Sequence, residues 1–213
     1  MFYRIEDIPD SQTMQAVVAR LLPLVPFSRR DKALRYKHLH GQYCCLRVWE
    51  ILHELLVSHS FLPAINSLSE LTYVEDDYGK PWLTVGSVRE ENIYFSLSHT
   101  KNAIAVAVSN RPVGIDIEAV VSQERVGDSH FLERTMSATE RKQINMANNP
   151  RLVFTELWTR KEAYVKLLGT GLDMNTLPML LNEADAYTFH GNVRTMSRSV
   201  AIPSCAEQPP CTG

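Results

Sequence analysis

A mixed fold of helices and strands is what this sequence predicts, and three observations predict it. Residues 44–56 and 152–168 set their apolar side chains at the helical period. Ile93, Phe95 and Leu97 alternate with Tyr94, Ser96 and Ser98, the two-residue period of a half-buried strand. Val113-Gly114-Ile115-Asp116-Ile117-Glu118 is a further strand that puts Ile115 and Ile117 on one face and Gly114, Asp116 and Glu118 on the other. Two carboxylates held side by side repel, and a hard divalent cation with oxygen ligands relieves them, although a solvated strand edge explains an isolated Asp-x-Glu as well. Gly114 leaves room for a ligand to approach the backbone.

Composition narrows the function classes. The chain has 213 residues, 45% hydrophobic and 22% charged, which suits one large or two small globular domains. Its 22 Lys and Arg against 24 Asp and Glu give a formal charge of -2, so bulk electrostatics argue for neither nucleic acid nor membrane. Residues 1–10 lack the basic-then-apolar pattern of a signal peptide and no apolar run reaches membrane-spanning length, so a cytoplasmic protein is expected. Cys44 and Cys45 are adjacent in a helical pattern and Cys205 and Cys211 lie in a Pro-rich tail, which is no disulfide or zinc framework; all four are expected as reduced thiols, with a disulfide in the tail as the alternative.

In chain order, Met14, Val17, Val18, Leu21 and Leu22 predict a short helix stopped by Pro23 and Pro26. Ser28 with Asp31 resembles a capping box opening a long helical segment. Arg29, Arg30, Lys32, Arg35 and Lys37 make its start basic, against the helix dipole. An anionic ligand explains that, and so does a solvated basic face. Gly41 is expected to separate a second helix with core positions Cys44, Leu46, Val48, Ile51, Leu52, Leu55 and Leu56. His38, His40, His53 and His59 have no zinc spacing and read as solvated or core residues. Strands are expected at 71–74 and 82–85, about a turn that presents Lys80 beside Pro81.

The strand through 93–98 ends in Ser98-His99-Thr100, without the G-x-S-x-G surroundings of a hydrolase nucleophile; hydroxyls and imidazole there suit phosphate. Residues 102–108 form a continuous apolar strand, and a hairpin into the acidic strand is expected. Residues 119–128 read as a loop, and Ser137 with Glu140 as a capping box. In the helix over 152–168, Phe154, Leu157, Trp158, Val165 and Leu168 form an apolar arc with Lys161 inside it and Glu162 and Lys166 at its border. A lysine in such an arc snorkels outward or meets carboxylate or phosphate. Glu162 is available as a third oxygen ligand. Strand pieces are expected at 177–181, 187–189 and 199–202, and a disordered tail over 203–213.

Four motifs together resemble a known family: Gly-Lys-Pro at 79–81, Ser-His at 98–99, Gly-Ile-Asp-Ile-Glu at 114–118 and Trp-x-x-Lys-Glu-Ala-x-x-Lys at 158–166. Their order and spacing are similar to those of the Sfp-type 4'-phosphopantetheinyl transferases. The last two motifs together are highly specific, and the likeness spans about residues 28–172. It implies an α+β fold of two similar halves, 1–110 and 111–213, with the active site in the cleft between them. It implies transfer of 4'-phosphopantetheine from coenzyme A to a serine of an apo acyl or peptidyl carrier protein, leaving adenosine 3',5'-bisphosphate, by a monomer. Asp116, Glu118 and Glu162 are then expected to hold Mg²⁺ or Mn²⁺. Arg29, Lys32, Lys80, Ser98, His99, Lys161 and Lys166 are expected to bind coenzyme A, with Glu162 as candidate base and Lys166 stabilising developing charge. The family often has Arg, Thr or Ser near Cys44 and Cys45. Residues 121–136, with Phe131 and Arg134, and 171–181 are expected to meet the carrier. The competing readings are a Mg²⁺-dependent pyrophosphohydrolase and a non-catalytic module that binds carrier proteins.

Overall fold

The computed structural model describes residues 1–77, 79–86, 88–171, 178 and 196–201, the last six by their backbone. The chain is α+β and divides into two compact units, Met1–Arg111 and Pro112–Gly213. Among the described residues no helix is long and apolar enough to cross a membrane.

The N-terminal unit runs β1 (Phe2–Asp7), α1 (Ser11–Leu21), α2 (Phe27–Leu34), α3 (Leu39–Ser58), β2 (Leu71–Glu75), β3 (Pro81–Val85), β4 (Val88–Arg89), β5 (Tyr94–His99) and β6 (Ala103–Ser109). Two antiparallel sheets result, in the orders β1-β6-β5 and β2-β3-β4. α3 is the centre of the core: Leu46, Trp49, Ile51, Leu52 and Leu56 are fully buried, and the Trp49 indole donates to the Leu71 carbonyl at 3.2 Å. β6 is buried along its whole length because it is the middle strand, with Ile104, Val106 and Val108 in the core cluster.

Several expectations change here. β6 has β1 on one edge and β5 on the other, so no edge remains for a hairpin with the acidic strand. The first residues form β1, which pairs in register from Phe2 with Val108 to Asp7 with Ala103, where no strand was expected. α2 starts at Phe27 with Pro26 at its cap and no side-chain hydrogen bond there, so Ser28 caps nothing. The break before α3 falls at residues 35–38, and Gly41 lies inside α3. Its missing side chain makes space for the Tyr36 ring, since a Cβ would sit 2.6 Å from that ring.

The C-terminal unit runs β7 (Gly114–Ala119), α4 (Gln123–Gly127), α5 (Ser129–Thr135), α6 (Ala138–Met146), α7 (Pro150–Leu168) and β8 (Met196–Ala201). β7 pairs antiparallel with β8, Asp116 opposite Ser199 and Glu118 opposite Ser197. Residues 119–128, read as loop, contain α4, and the chain around Val121 is pinned to α7: its N–H donates to Thr155 Oγ1 at 3.1 Å and its carbonyl accepts from Arg151 Nε at 2.7 Å. Ser137 and Glu140 form the capping box of α6. α7 opens with Asn149 accepting from Leu152 N and closes at Gly169, whose φ of 74° suits glycine. Its buried arc includes Phe154, Leu157, Trp158, Lys161 and Val165, but Leu167 takes the place expected for Leu168, which is 44% exposed. Apart from residue 178, the strand pieces at 177–181 and 187–189 and the tail 203–213 lie outside the described residues.

Candidate functional site

β7 and α7 meet at Gly114. A Cβ there would lie 1.9 Å from the Ala163 carbonyl oxygen and 2.6 Å from Leu167 N, so only glycine allows strand and helix this close. The space left by Gly114 is filled by α7, not by a ligand. Two residues along β7 is Asp116; one residue before and three after Ala163 are Glu162 and Lys166. The close crossing therefore sets acids from two elements beside one lysine.

Lys166 Nζ donates to Asp116 Oδ1 at 2.7 Å, and Asp116 is buried. The other two acids titrate high. Burial, then the Asp116 charge, raises Glu118 above the usual carboxylate range, against the pull of Arg125, Lys166 and a hydrogen bond from the Trp158 side chain. Glu162 is pushed up to about 7, first by burial, then by Asp116, with Glu118 adding to it and Lys166 and Arg125 opposing. Each of the three carboxylates thus feels at least one other. Among the described residues no three His, Cys, Asp or Glu side chains are drawn into metal-ligating positions. The donor set nonetheless fits a hard divalent cation: carboxylate oxygens only, mutually repelling, with the single ammonium of Lys166 bonded to one of the three acids.

Lys161 has its partners inside the unit. Fully buried, its ammonium donates to Glu140 Oε2 at 2.7 Å and to the Thr135 carbonyl at 2.9 Å. The same Glu140 oxygen accepts from Ser137 N at 2.7 Å. The buried lysine predicted by the apolar arc thus meets a carboxylate, and it ties the junction of α5 and α6 to α7. Phe131, expected at the surface, is half-buried against Phe154 and Trp158, with ring centroids 5.8 and 5.9 Å away. Arg134 is exposed.

The predicted basic and hydroxyl residues Arg29, Lys32, Lys80, Ser98 and His99 belong to the N-terminal unit. Arg29 is 4% exposed, and its guanidinium lies 4.0 Å over the Trp49 ring and 5.3 Å from that of Tyr73. Among the described residues its Nε has no hydrogen-bond partner. Arg29 and Lys32 line two cavities of about 210 and 200 Å³. Tyr73 and Gly79 complete one, and Cys44, Cys45 and His99 the other. Burial of the Lys80 amine, opposed by Asp76, lowers its pKa, and the amine lies 5.6 Å from the Trp82 ring. Ser98 is buried on β5. Cys44 and Cys45 are free, and burial pushes the Cys44 thiol up to about 12, which makes it inert.

Sequence reasoning missed Arg125, Trp158 as a partner of Glu118, and the rings of Trp49 and Tyr73 that seat Arg29. Trp158 carried a signal, because it opens the motif that holds Glu162. Arg125 carried none.

Residues 112–204 match the family described as the 4'-phosphopantetheinyl transferase superfamily. The chain is 32% identical over 146 residues to the 4'-phosphopantetheinyl transferase gsp of Aneurinibacillus migulanus, covering 68% of this chain and 56% of that protein. It is 28% identical to a 4'-phosphopantetheinyl transferase of Bacillus pumilus, over 76% of this chain and 66% of the relative. It is 25% identical to one of Bacillus subtilis, over 73% and 65%. The chain thus spans between about half and two thirds of the length of these relatives. The acid-bearing residues 112–204 thus resemble the 4'-phosphopantetheinyl transferase superfamily, and most of the chain is similar to transferases of that name.

Proposed function

We propose that this chain transfers 4'-phosphopantetheine from coenzyme A to the serine hydroxyl of an apo acyl or peptidyl carrier protein, releasing adenosine 3',5'-bisphosphate. The observation that carries the proposal is the joining of Asp116, Glu162 and Lys166 where β7 crosses α7, with Lys166 Nζ 2.7 Å from Asp116 and Glu162 raised by burial and then by the Asp116 charge. The relatives bear the name of this activity.

Asp116, Glu118 and Glu162 would hold Mg²⁺ or Mn²⁺, which when bound supplies positive charge against a diphosphate. The chain's own groups do the rest. Lys166 offers its ammonium to the charge that develops on the pyrophosphate oxygens as the serine oxygen bonds to phosphorus and the bond to the leaving phosphate breaks. Glu162 accepts the serine proton. Its two oxygens let it serve as ligand and acceptor. Arg29, Lys32, Lys80, Ser98 and His99 bind phosphates of coenzyme A. Arg29 favours an anion: it is a buried guanidinium seated on aromatic rings, with one N–H lacking a partner among the described residues. Lys161, held by Glu140, supports the helix that presents Glu162. Arg134 faces the carrier. The protein acts as a cytoplasmic monomer, a setting that suits the reduced Cys44 and Cys45.

The test is incubation with coenzyme A, Mg²⁺ and a panel of apo carriers, read by intact mass. One carrier should gain one phosphopantetheine, and Asp116→Ala and Glu162→Ala should abolish the gain while the chain stays folded. No modified carrier across the panel, or coenzyme A split without a carrier, would refute the transfer.

A further inference from the structure

The segment between β7 and α5 has no part in the chemistry so far, yet it places one cation beside the acids. Arg125, on α4, is exposed, and its guanidinium lies 4.8 Å from the Phe131 ring and 5.6 Å from the Trp158 ring. Among the described residues it forms no ion pair with a carboxylate. The Trp158 side chain is also hydrogen-bonded to Glu118, so the ring under Arg125 touches the acid site directly. Trp158 stands one helical turn before Glu162 on α7, so Arg125 over its ring lies beside the acids.

We propose that Arg125 is a further anion-binding residue of this site, seated over the Phe131 and Trp158 rings so that its N–H groups meet a phosphate group bound beside Glu118 and Glu162. Aromatic rings accept no strong hydrogen bond, so a guanidinium seated over them keeps N–H donors for the paired hydrogen bonds that match phosphate. This seat also removes much of the side chain's freedom before the ligand arrives, so less is lost on binding. The charge balance calls for such a group. A phosphate next to three carboxylates is repelled unless cations flank it, and Lys166, which shares its ammonium with Asp116, is one cation against three acids. Arg125 supplies positive charge that no carboxylate among the described residues has taken up. The ligand class is a diphosphate ester, and its identification with coenzyme A rests on the transfer reading above.

The experiment uses the full chain and has two readouts. Modification of Arg125 by phenylglyoxal, followed by peptide mass, should slow several-fold when inorganic pyrophosphate and Mg²⁺ are added, and should not slow with chloride at equal ionic strength. In the transfer assay Arg125→Gln should raise the KM for coenzyme A about tenfold or more, as loss of a charged hydrogen bond does, with the carrier KM unchanged. Arg125→Lys should recover only part, because a point charge lacks the fork. Arg125 is on the surface, so the variants should melt like the parent. Absence of pyrophosphate protection together with an unchanged coenzyme A KM overturns the proposal. So does a variant whose carrier KM alone rises, which would make Arg125 a contact for the protein partner. Protection in a chain that modifies no carrier would keep the phosphate site and discard the transfer.

Discussion

Glu162 shows how a functional carboxylate opposes the stability of the unit that holds it. Burial and the Asp116 charge raise it from 4.5 to about 7, so its ionised form is disfavoured in the folded chain. The sign follows from linkage. Below pH about 4.5 the group is protonated folded and unfolded, and no cost arises. The cost grows as pH rises from 4.5 to 7 and is constant above: about 3 kcal/mol at 1.36 kcal/mol per pH unit, cut by solvent screening to the order of 2 kcal/mol. Glu162→Gln removes the charge and keeps the shape. In EDTA it should melt higher than the parent at pH 8 and alike at pH 4, by thermal unfolding, while losing transfer. Equal melting at pH 8 would mean the acids do not strain one another. Lys161 presents the opposite case, a charge whose burial is compensated. Lys161→Met leaves Glu140 buried beside the Ser137 cap without its cation, and should destabilise by about 3 kcal/mol, by urea unfolding.

At the scale of elements, the crossing of β7 and α7 decides whether the acids meet. Gly114→Ala would put a methyl carbon 1.9 Å from a backbone oxygen, and backbone does not swing aside as a side chain can. The strand must move away from the helix, at about 1–3 kcal/mol or more of overpacking strain. The motion separates Asp116 from Lys166 as well. The expected result is a lower urea midpoint together with a loss of transfer larger than the loss of folded protein, measured at a temperature where the variant is folded. A variant that is destabilised but fully active once folded would show that the close approach serves packing alone. The motif showed this glycine but not its purpose: a glycine in a strand signals a close neighbour, and which neighbour depends on a helix some fifty residues later.

For the molecule as a whole, what could be read from the sequence was what is local. Periodicity gave α3 and α7, and hydroxyl with carboxylate three residues on gave the cap of α6. Strand pairing was not legible, since an apolar run like β6 does not say whether its neighbour is the next strand or one from the far end of the unit. The charge lattice of the N-terminal unit was hidden for the same reason. Arg47 on α3 reaches Glu6 on β1 at 2.7 Å and Glu50 at 2.5 Å, Arg20 on α1 meets Glu50 at 2.5 Å, and Arg4 on β1 pairs with Glu54. Burial alone would raise Glu50, but hydrogen bonds from Arg20 and Arg47 outweigh it and hold its pKa below 4.5. A depressed carboxylate lends stability that is present above 4.5 and is lost as pH falls through the folded value. The unit that depends on these pairs should therefore open in acid. Hydrogen exchange read by mass spectrometry on α3 peptides should show protection falling below pH 4.5, after correction for intrinsic exchange. Glu50→Gln should be less stable than the parent at pH 7, by about 1–3 kcal/mol for two arginines left short of a partner, and the difference should close in acid. A gap that persists unchanged at pH 3 would show that Glu50 acts by its shape and not by its charge.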